Sequence, residues 1–217
     1  MIYHKNRLKK QLFVFGHRGA PKLYLENSLK SINAAIESGA DGVELDIQCT
    51  ADNFVILFHD NFIISKSNKK HFINQTPLFQ INKMCKEKKV PTPDLFTDFI
   101  SIIYKNPHVI FNIEVKSSRI NNFYILQKIV DLISPEALQN QCIISSFNRI
   151  LLYQLKFQLG YNHSIAPIVS HNFLLSWYGR IFGKLYINTL KPDFFHMNIH
   201  HIDCSLIEWV HSKNIAI

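Results

Sequence analysis

Acidic and apolar side chains alternate along one short segment of the chain. Within residues 42–48, a single apolar residue, Leu45, lies between Glu44 and Asp46. On a β-strand this spacing places both carboxylates on the same face. Two carboxylates that close repel each other unless a cation lies between them. A hard divalent ion such as Mg²⁺ or Ca²⁺ accepts several oxygen ligands and removes that repulsion. The alternative is a half-exposed strand with a solvated polar face.

A second segment repeats the pattern and favours the metal. In the predicted strand Val109–Val115 and the residue after it, Asn112, Glu114 and Lys116 share one face. We expect Glu114 to complete a metal site from across a barrel. Lys116, one pleat further on, can reach a phosphate oxygen as a compact positive charge.

Two histidines each follow a short apolar run, where a strand is predicted to end. These are His17, after Leu12–Phe15, and His59. Histidine gives and takes protons near neutral pH, and the cleavage of a P–O bond needs both acts. Arg18 offers a planar fork that suits two phosphate oxygens. The glycines on either side of this His-Arg pair allow close backbone approach or an unusual turn.

Composition indicates one ordinary globular domain over residues 1–217, with 47% apolar and 18% charged residues. A net charge of +8 favours anionic partners, which are phosphate-bearing substrates, a membrane surface or nucleic acid. The four cysteines lie far apart and predict neither a zinc site nor a disulfide framework. We find no signal-peptide pattern and no apolar run of roughly 20 residues. We therefore expect a cytoplasmic protein that is peripheral to a membrane at most.

Apolar runs alternate with helix-period segments, which is typical of an α/β protein with parallel strands. The predicted strands are Leu12–Phe15, Gly42–Gln48, Val55–His59, Val109–Val115, Cys142–Ser146, Ser164–Ile168 and Phe194–Asn198, with an eighth near Ile215. The predicted helices are Ser28–Glu37, Asp94–Tyr104, Phe123–Ile133, Arg149–Gln158, Phe173–Tyr186 and Ser205–Ser212. This order favours a TIM-type (β/α)8 barrel, with an open doubly wound sheet as the competitor.

Two segments depart from this alternation of strands and helices. Residues 60–93 are polar and rich in lysine, and we expect them to form an insertion over the active-site face of the barrel. The chain stops as the last strand should begin, so we expect a barrel that is truncated in its last strand and helix.

Six motifs in this order resemble the glycerophosphodiester phosphodiesterases. They are His17-Arg18-Gly19, Glu26-Asn27-Ser28, the run from Gly39 to Asp46, His59-Asp60, Ile113-Glu114-Val115-Lys116 and Ser145-Ser146-Phe147. The resemblance implies a TIM-type barrel. It also implies a divalent cation held by Glu44, Asp46 and Glu114, an acid–base pair of His17 and His59, a phosphate site of Arg18 and Lys116, and a site-shaping role for Glu26 and Asn27.

The implied reaction is metal-dependent hydrolysis of glycerophosphodiesters to glycerol 3-phosphate and an alcohol. One alternative is a lysophospholipase D or a sphingomyelinase D-like phospholipase. Another is an inactive truncated barrel that acts as a basic binding protein. Nucleic-acid binding is not expected, because the lysines of residues 60–93 lack interleaved aromatic residues.

One predicted helix bears on the substrate. In residues 173–186, aromatic and apolar residues recur at helical spacing, with Arg180 and Lys184 on another side. Such a helix can lie at a membrane surface, and lysophospholipid substrates then join the soluble diesters. The alternative is a barrel helix that packs its apolar side on the sheet.

Overall fold

The computed structural model describes residues 13–116, 123–133, 138, 140–169 and 177–217. Its strands are β1 (Phe15–His17), β2 (Gly42–Cys49), β3 (Val55–Leu57), β4 (Phe62–Ile64), β5 (Lys70–Phe72), β6 (Ile110–Val115), β7 (Cys142–Ser146), β8 (Ile165–Val169) and β9 (His196–Met197). Its helices are α1 (Leu29–Glu37), α2 (Leu78–Lys88), α3 (Phe96–Lys105), α4 (Phe123–Leu132), α5 (Arg149–Tyr153), α6 (Trp177–Leu190) and α7 (Cys204–Ser212). A π-helical turn, Gln154–Gln158, continues α5, and 3₁₀ turns span Ile73–Gln75 and Ile199–His201.

Six parallel strands form one curled sheet in the order β1-β2-β6-β7-β8-β9. Apolar side chains near the amino ends of these strands, together with Ala216, share one buried cluster. Its members are Ile110, Ile143, Ala166, Phe194 and Ala216, with Phe13 and Phe15 packed against them. Because residues from both ends of the strand order meet there, the sheet curls as a barrel does.

The opposite face of the sheet carries the main core, between the strands and the helices. From β2 this core receives Val43, Leu45 and Ile47, all fully buried. The ring of Phe99 on α3 packs edge-on against Phe111 of β6, with ring centroids 5.3 Å apart. Since the odd-numbered residues of β2 face the helices, its even-numbered residues face the interior of the curl.

Most predicted elements agree with the structure to within a few residues. One predicted strand, however, has the wrong direction in the sheet. Residues 55–59 were predicted as a parallel barrel strand, and that prediction is wrong. Instead, β3 pairs antiparallel with β2, with Leu57 opposite Ile47. The two strands are joined by a tight turn in which the backbone N–H of Thr50 donates to Phe54 and Asn53 has a φ of 65°. So short a connection permits only an antiparallel pair.

The segment 60–93 is folded rather than a plain polar loop. It contains the hairpin β4–β5, a 3₁₀ turn and α2, none of which is among the predicted elements. These elements enclose a small apolar cluster of their own, made of Ile56, Ile63, Ile73, Ile81, Met84 and Cys85. The position of this insertion over the active-site face stays a prediction.

Within the described ranges, no helix is both long and apolar enough to cross a membrane. The first four residues of the predicted surface helix 173–186 lie outside the described residues, and the rest of it forms the beginning of α6, which starts at Trp177. Its contact with a membrane therefore stays a prediction.

The turn after β1 is compact because two glycines remove side chains from it. A Cβ on Gly16 would lie 2.7 Å from the carbonyl oxygen of Gly19, and a Cβ on Gly19 would lie 2.5 Å from the backbone of Ser31. Gly19 also has a φ of 86°. In this turn Ser31 Oγ donates to Arg18 O at 3.0 Å and accepts from Ala20 N at 2.8 Å. The turn therefore fixes Arg18 against α1.

Gly19→Ala tests that constraint, with Gly39→Ala as the matched control. Gly39 has the same φ of 86°, but nothing lies within 4 Å of its added Cβ. We expect Gly39→Ala to lower the free energy of unfolding by about 1 kcal/mol through backbone strain alone. Gly19→Ala should lower it by roughly 2 to 4 kcal/mol, because it adds a collision with Ser31. Urea titration followed by circular dichroism measures both, and equal losses would contradict the constraint.

Candidate active site

Three carboxylates from the neighbouring strands β2 and β6 converge on the inner face of the curled sheet. Asp46 of β2 is in register with Glu114 of β6, and Glu44 lies one pleat below Asp46. One oxygen from each of the three lies within 4.8 Å of the others. The sequence predicted that Glu114 would approach from across the barrel. The structure instead places it on the adjacent strand, because β3 turns back and leaves β2 to pair directly with β6.

This cluster is electrostatically unfavourable without a cation. Burial, and then the charge of Asp46, raise the pKa of Glu44 to about 8. The buried Oδ1 of Asn112, which stands opposite Glu44 on β6, has no hydrogen-bond partner within the described part of the chain. Carboxylate oxygens with a nearby unpaired amide oxygen are the donors that Mg²⁺ and Ca²⁺ prefer, so these residues fit a divalent cation.

Two basic side chains offset part of the negative charge. Lys116 Nζ lies 2.8 Å from Glu114 Oε1 and 3.1 Å from Asp46 Oδ1. Burial lowers the pKa of Lys116, but the hydrogen bond to Glu114 and the charge of Asp46 outweigh that effect, so its pKa is raised. Lys116 is therefore held as a cation at the edge of the cluster.

Arg18 reaches the cluster from the turn after β1. Its backbone N–H donates to Glu44 Oε2 at 2.9 Å, and its Nε lies 3.4 Å from Asp46 Oδ2. At the other end of the guanidinium, Nη1 donates to Glu26 Oε1 at 2.9 Å. Glu26 thus holds the guanidinium from the outside while Asp46 attracts it from the inside.

Asn27 brackets Asp46 through both ends of its side-chain amide. Nδ2 donates to Asp46 Oδ2, and Oδ1 accepts from the backbone N–H of Asp46, each at 2.9 Å. The pairing of β1 with β2 ends at His17 opposite Glu44, so this side-chain amide takes over where the strand stops. Asn27 is buried with a φ of 52°, and the next residue, Ser28, caps α1 by accepting from Ser31 N.

The two histidines reach the same end of β2 by different routes. His17 Nε2 lies 3.7 Å from Glu44 Oε2, and the ring is largely exposed. His59 follows β3, and its Nδ1 is hydrogen-bonded to Asp60 Oδ1 at 2.8 Å. Gln48 Nε2 donates to the carbonyl oxygens of Phe58 and Asp60, which anchors the His59 segment to β2. The structure therefore gathers every predicted site residue around the end of β2.

Sequence reasoning did not assign a role to two further groups that face this interior. Ser145 of β7 is fully buried opposite Glu114, and its Oγ has no hydrogen-bond partner within the described ranges. His196 of β9 lies two residues after the inward Phe194 and therefore on the same face, and burial lowers its pKa to about 4. All five residues of β7, Cys142–Ser146, are buried, and their types do not alternate between apolar and polar. The sequence therefore offers no pattern from which the inward face of Ser145 could be predicted.

Comparison with protein families matches residues 17–157 to the glycerophosphoryl diester phosphodiesterase family. The chain belongs to this family. A glycerophosphodiester phosphodiesterase from Caldanaerobacter subterraneus subsp. tengcongensis is 32% identical over 193 residues, which cover 85% of this chain and 76% of that protein. The uncharacterized protein YqiK of Bacillus subtilis is 30% identical over 62% of this chain, and the match spans only 58% of YqiK.

Solved structures confirm the fold class predicted from the sequence, a TIM-type barrel. A glycerophosphodiester phosphodiesterase structure from Galdieria sulphuraria aligns over 94% of this chain and 82% of its own, with a TM-score of 0.78 and 19% identity. An Oleispira antarctica phosphodiesterase in complex with the product sn-glycerol-3-phosphate covers the same shares, with a TM-score of 0.75 and 20% identity.

Glu44→Gln should stabilise the metal-free protein while it removes a charge from the cluster. The folded pKa of Glu44, about 8, lies above its ordinary value of 4.5. Between those values the unfolded chain ionises Glu44 before the folded one does, so the wild type loses stability as pH rises and loses no more above about pH 8. We expect Glu44→Gln in EDTA to gain roughly 1 to 3 kcal/mol of unfolding free energy at pH 8, and little at pH 4.

The control for this experiment is Glu37→Gln, which removes one exposed carboxylate from α1. It should shift the unfolding free energy by less than about 0.5 kcal/mol at either pH. Thermal or urea unfolding at both pH values measures the difference. A Glu44→Gln variant that is no more stable than the wild type at pH 8 would contradict the electrostatic reading of the cluster.

Proposed function

We propose that this chain is a metal-dependent phosphoric diester hydrolase that cleaves glycerophosphodiesters to glycerol 3-phosphate and an alcohol. The observation that carries the proposal is the convergence of Glu44, Asp46 and Glu114 within 4.8 Å, with the His17 imidazole 3.7 Å from Glu44. Family membership supports it, as does the product complex of the structurally similar Oleispira antarctica phosphodiesterase.

Glu44, Asp46 and Glu114 would hold the divalent cation, Mg²⁺ or Ca²⁺. When bound, the cation supplies charge stabilisation at the phosphoryl oxygens. Lys116 and Arg18 add hydrogen-bond donors to the same oxygens, and both are already oriented by carboxylates on the protein. Positive charge from these groups would thereby stabilise a dianionic transition state.

His17 and His59 would divide the two proton transfers between them. One takes a proton from the nucleophile, and the other gives a proton to the departing alcohol oxygen. Asp60 bonds the Nδ1 atom of His59, which leaves Nε2 as the atom that exchanges a proton with substrate. The nucleophile is either water or the neighbouring hydroxyl of the glycerol, and the second route passes through a cyclic phosphate that water then opens.

Alanine substitution of each histidine tests the acid–base assignment. We expect His17→Ala and His59→Ala to lower kcat on glycerophosphocholine by roughly 10² to 10⁴ fold. His108→Ala is the control, because His108 is exposed and precedes β6, at the opposite end of the strands. Release of choline and of glycerol 3-phosphate, measured with Mg²⁺, Ca²⁺ or a chelator, reports activity. Rates like those of the wild type in both active-site variants would reject the assignment.

The same assays separate the alternatives predicted from the sequence. Choline release from lysophosphatidylcholine or sphingomyelin, without release from glycerophosphocholine, would indicate a phospholipase of the D type. No release from any of these diesters under any metal condition would favour a binding protein.

Asn27→Gly tests whether Asn27 positions a metal ligand. Glycine accepts the φ of 52° without strain, so this change removes only the amide that brackets Asp46. We expect the Kd for the divalent cation to rise roughly 10- to 100-fold, as is typical for the loss of a residue that orients a metal ligand. Saturating metal should restore most of kcat, which a loss of acid–base function would not allow.

Asn53→Gly is the matched control, since Asn53 also has a positive φ, of 65°, in the exposed turn between β2 and β3. Its metal affinity should equal that of the wild type. Isothermal titration with Mg²⁺ and Ca²⁺ measures both variants. An unchanged Kd in Asn27→Gly would show that Asp46 keeps its orientation without the bracket.

A further inference from the structure

The outer side of the β4–β5 hairpin carries apolar side chains that are partly exposed to solvent. In its antiparallel register Phe62 is opposite Phe72, and Ile64 is opposite Lys70. The inward residue Ile63 belongs to the small core of the insertion, so Phe62, Ile64 and Phe72 lie on the outer side. Phe72 is 47% exposed and Ile64 is 38% exposed. We call Phe62, Ile64 and Phe72 the hairpin patch.

The rings of the hairpin patch are already ordered. Phe62 and Phe72 meet edge to face with their centroids 6.2 Å apart. Lys70 Nζ lies 4.3 Å from the centroid of the Phe62 ring. Aromatic groups held in this way present a fixed apolar surface, at little further loss of conformational entropy on binding.

Lysines surround the hairpin patch. Lys66 and Lys69 are exposed in the turn between β4 and β5, and Lys88 Nζ reaches from α2 to donate to Ile64 O at 3.1 Å. Residues 60–93 carry seven lysines against two acidic residues, which are Asp60 and Glu87. This excess of five positive charges is more than half of the net charge of +8 of the whole chain.

We propose that the hairpin patch docks the protein on an anionic lipid bilayer. Apolar and aromatic side chains enter the boundary between headgroups and acyl chains, while surrounding lysines contact anionic headgroups. The ammonium group of Lys70 lies over the Phe62 ring. Lysine stems in general can lie along apolar surface while their ammonium groups reach polar headgroups.

Charge and geometry disfavour the other occupants of this surface. A second copy of the chain would bring two lysine-rich rims together, and like charges repel. Single-stranded nucleic acid binds on open aromatic faces, whereas one face of Phe62 is covered by Lys70 and its ring contacts the edge of Phe72. A negatively charged lipid surface satisfies the apolar patch and the lysines together.

Docking would also bring the candidate active site towards the bilayer. Only Asn61 separates the His59-Asp60 pair from β4, and Asn61 O accepts from Ile73 N at 3.0 Å within the insertion. Membrane binding does not depend on the proposed hydrolase activity, so the failure of either would be visible without the other.

Vesicle co-sedimentation tests the docking surface. The 217-residue chain is mixed with phosphatidylcholine vesicles that contain phosphatidylglycerol, and with pure phosphatidylcholine vesicles. We expect binding to the anionic vesicles that weakens with salt, and at least tenfold weaker binding to the neutral ones. Ile64→Ser/Phe72→Ser and Lys66→Gln/Lys69→Gln should each weaken anionic binding by roughly tenfold or more.

Matched controls keep the test specific to this surface. Phe157→Ser removes an exposed phenylalanine from the π-helical turn after α5, and Lys30→Gln/Lys105→Gln removes two exposed lysines from α1 and α3. Both should bind anionic vesicles as the wild type does. All four residues substituted in the two hairpin variants are exposed, so we expect melting temperatures within about 3 °C of the wild type. Such values exclude unfolding as the cause of weaker binding.

Three outcomes would overturn the proposal. The first is a wild-type chain that does not sediment with anionic vesicles. The second is patch variants that bind as the controls do. The third is patch-dependent dimerisation in light scattering, or patch-dependent binding of a single-stranded oligonucleotide, without vesicle binding, which would assign the surface to a second copy or to nucleic acid.

Discussion

The repulsion among three buried carboxylates is the constraint around which the site is built. The parallel register of β2 and β6 forces Asp46 and Glu114 side by side, with Glu44 one pleat away. A buried charge without a partner costs several kcal/mol, so groups that offset it must be near. Lys116 and Arg18 supply opposite charge, but the pKa of Glu44 still rises to about 8. The protein alone therefore leaves the cluster undercompensated, which is the state that favours binding of a cation.

The same strands anchor this strained arrangement through their other face. Val43, Leu45 and Ile47 are fully buried against the helices, and a slip of β2 by one residue would turn all three into the polar interior and place three polar groups in the apolar core. Hydrophobic burial outside the curl thus holds the carboxylates together inside it. The polar interior and the apolar core are two consequences of one alternation, and neither can be changed independently of the other.

The alternation of apolar and polar residues along these strands explains how much of the fold and of the candidate site could be predicted from the sequence. It placed Glu44, Asp46 and Glu114 on inward faces from residue types alone, and the motif order identified the family. The direct pairing of β2 with β6 could not be predicted, since the apolar run 55–57 is indistinguishable by composition from an intervening parallel strand. What decides is the turn at Thr50 and Asn53, whose length permits only a hairpin. The pair of hydrogen bonds between Asn27 and Asp46 could not be predicted either, because it depends on the residue at which β1 ends.

The reversal at that turn determines where His59 lies. A parallel β3 beyond β2 would have displaced the chain by one further strand, about 4.8 Å or more from the carboxylates. As an antiparallel partner of the last residues of β2, the segment instead returns over Asp46, and Phe58 N donates to Asp46 O at 3.0 Å. Gln48 Nε2 then donates to the carbonyl oxygens of Phe58 and Asp60, on either side of His59. A local feature of turn chemistry therefore brings the backbone around His59 to the end of β2, and from there the chain passes directly into the basic hairpin.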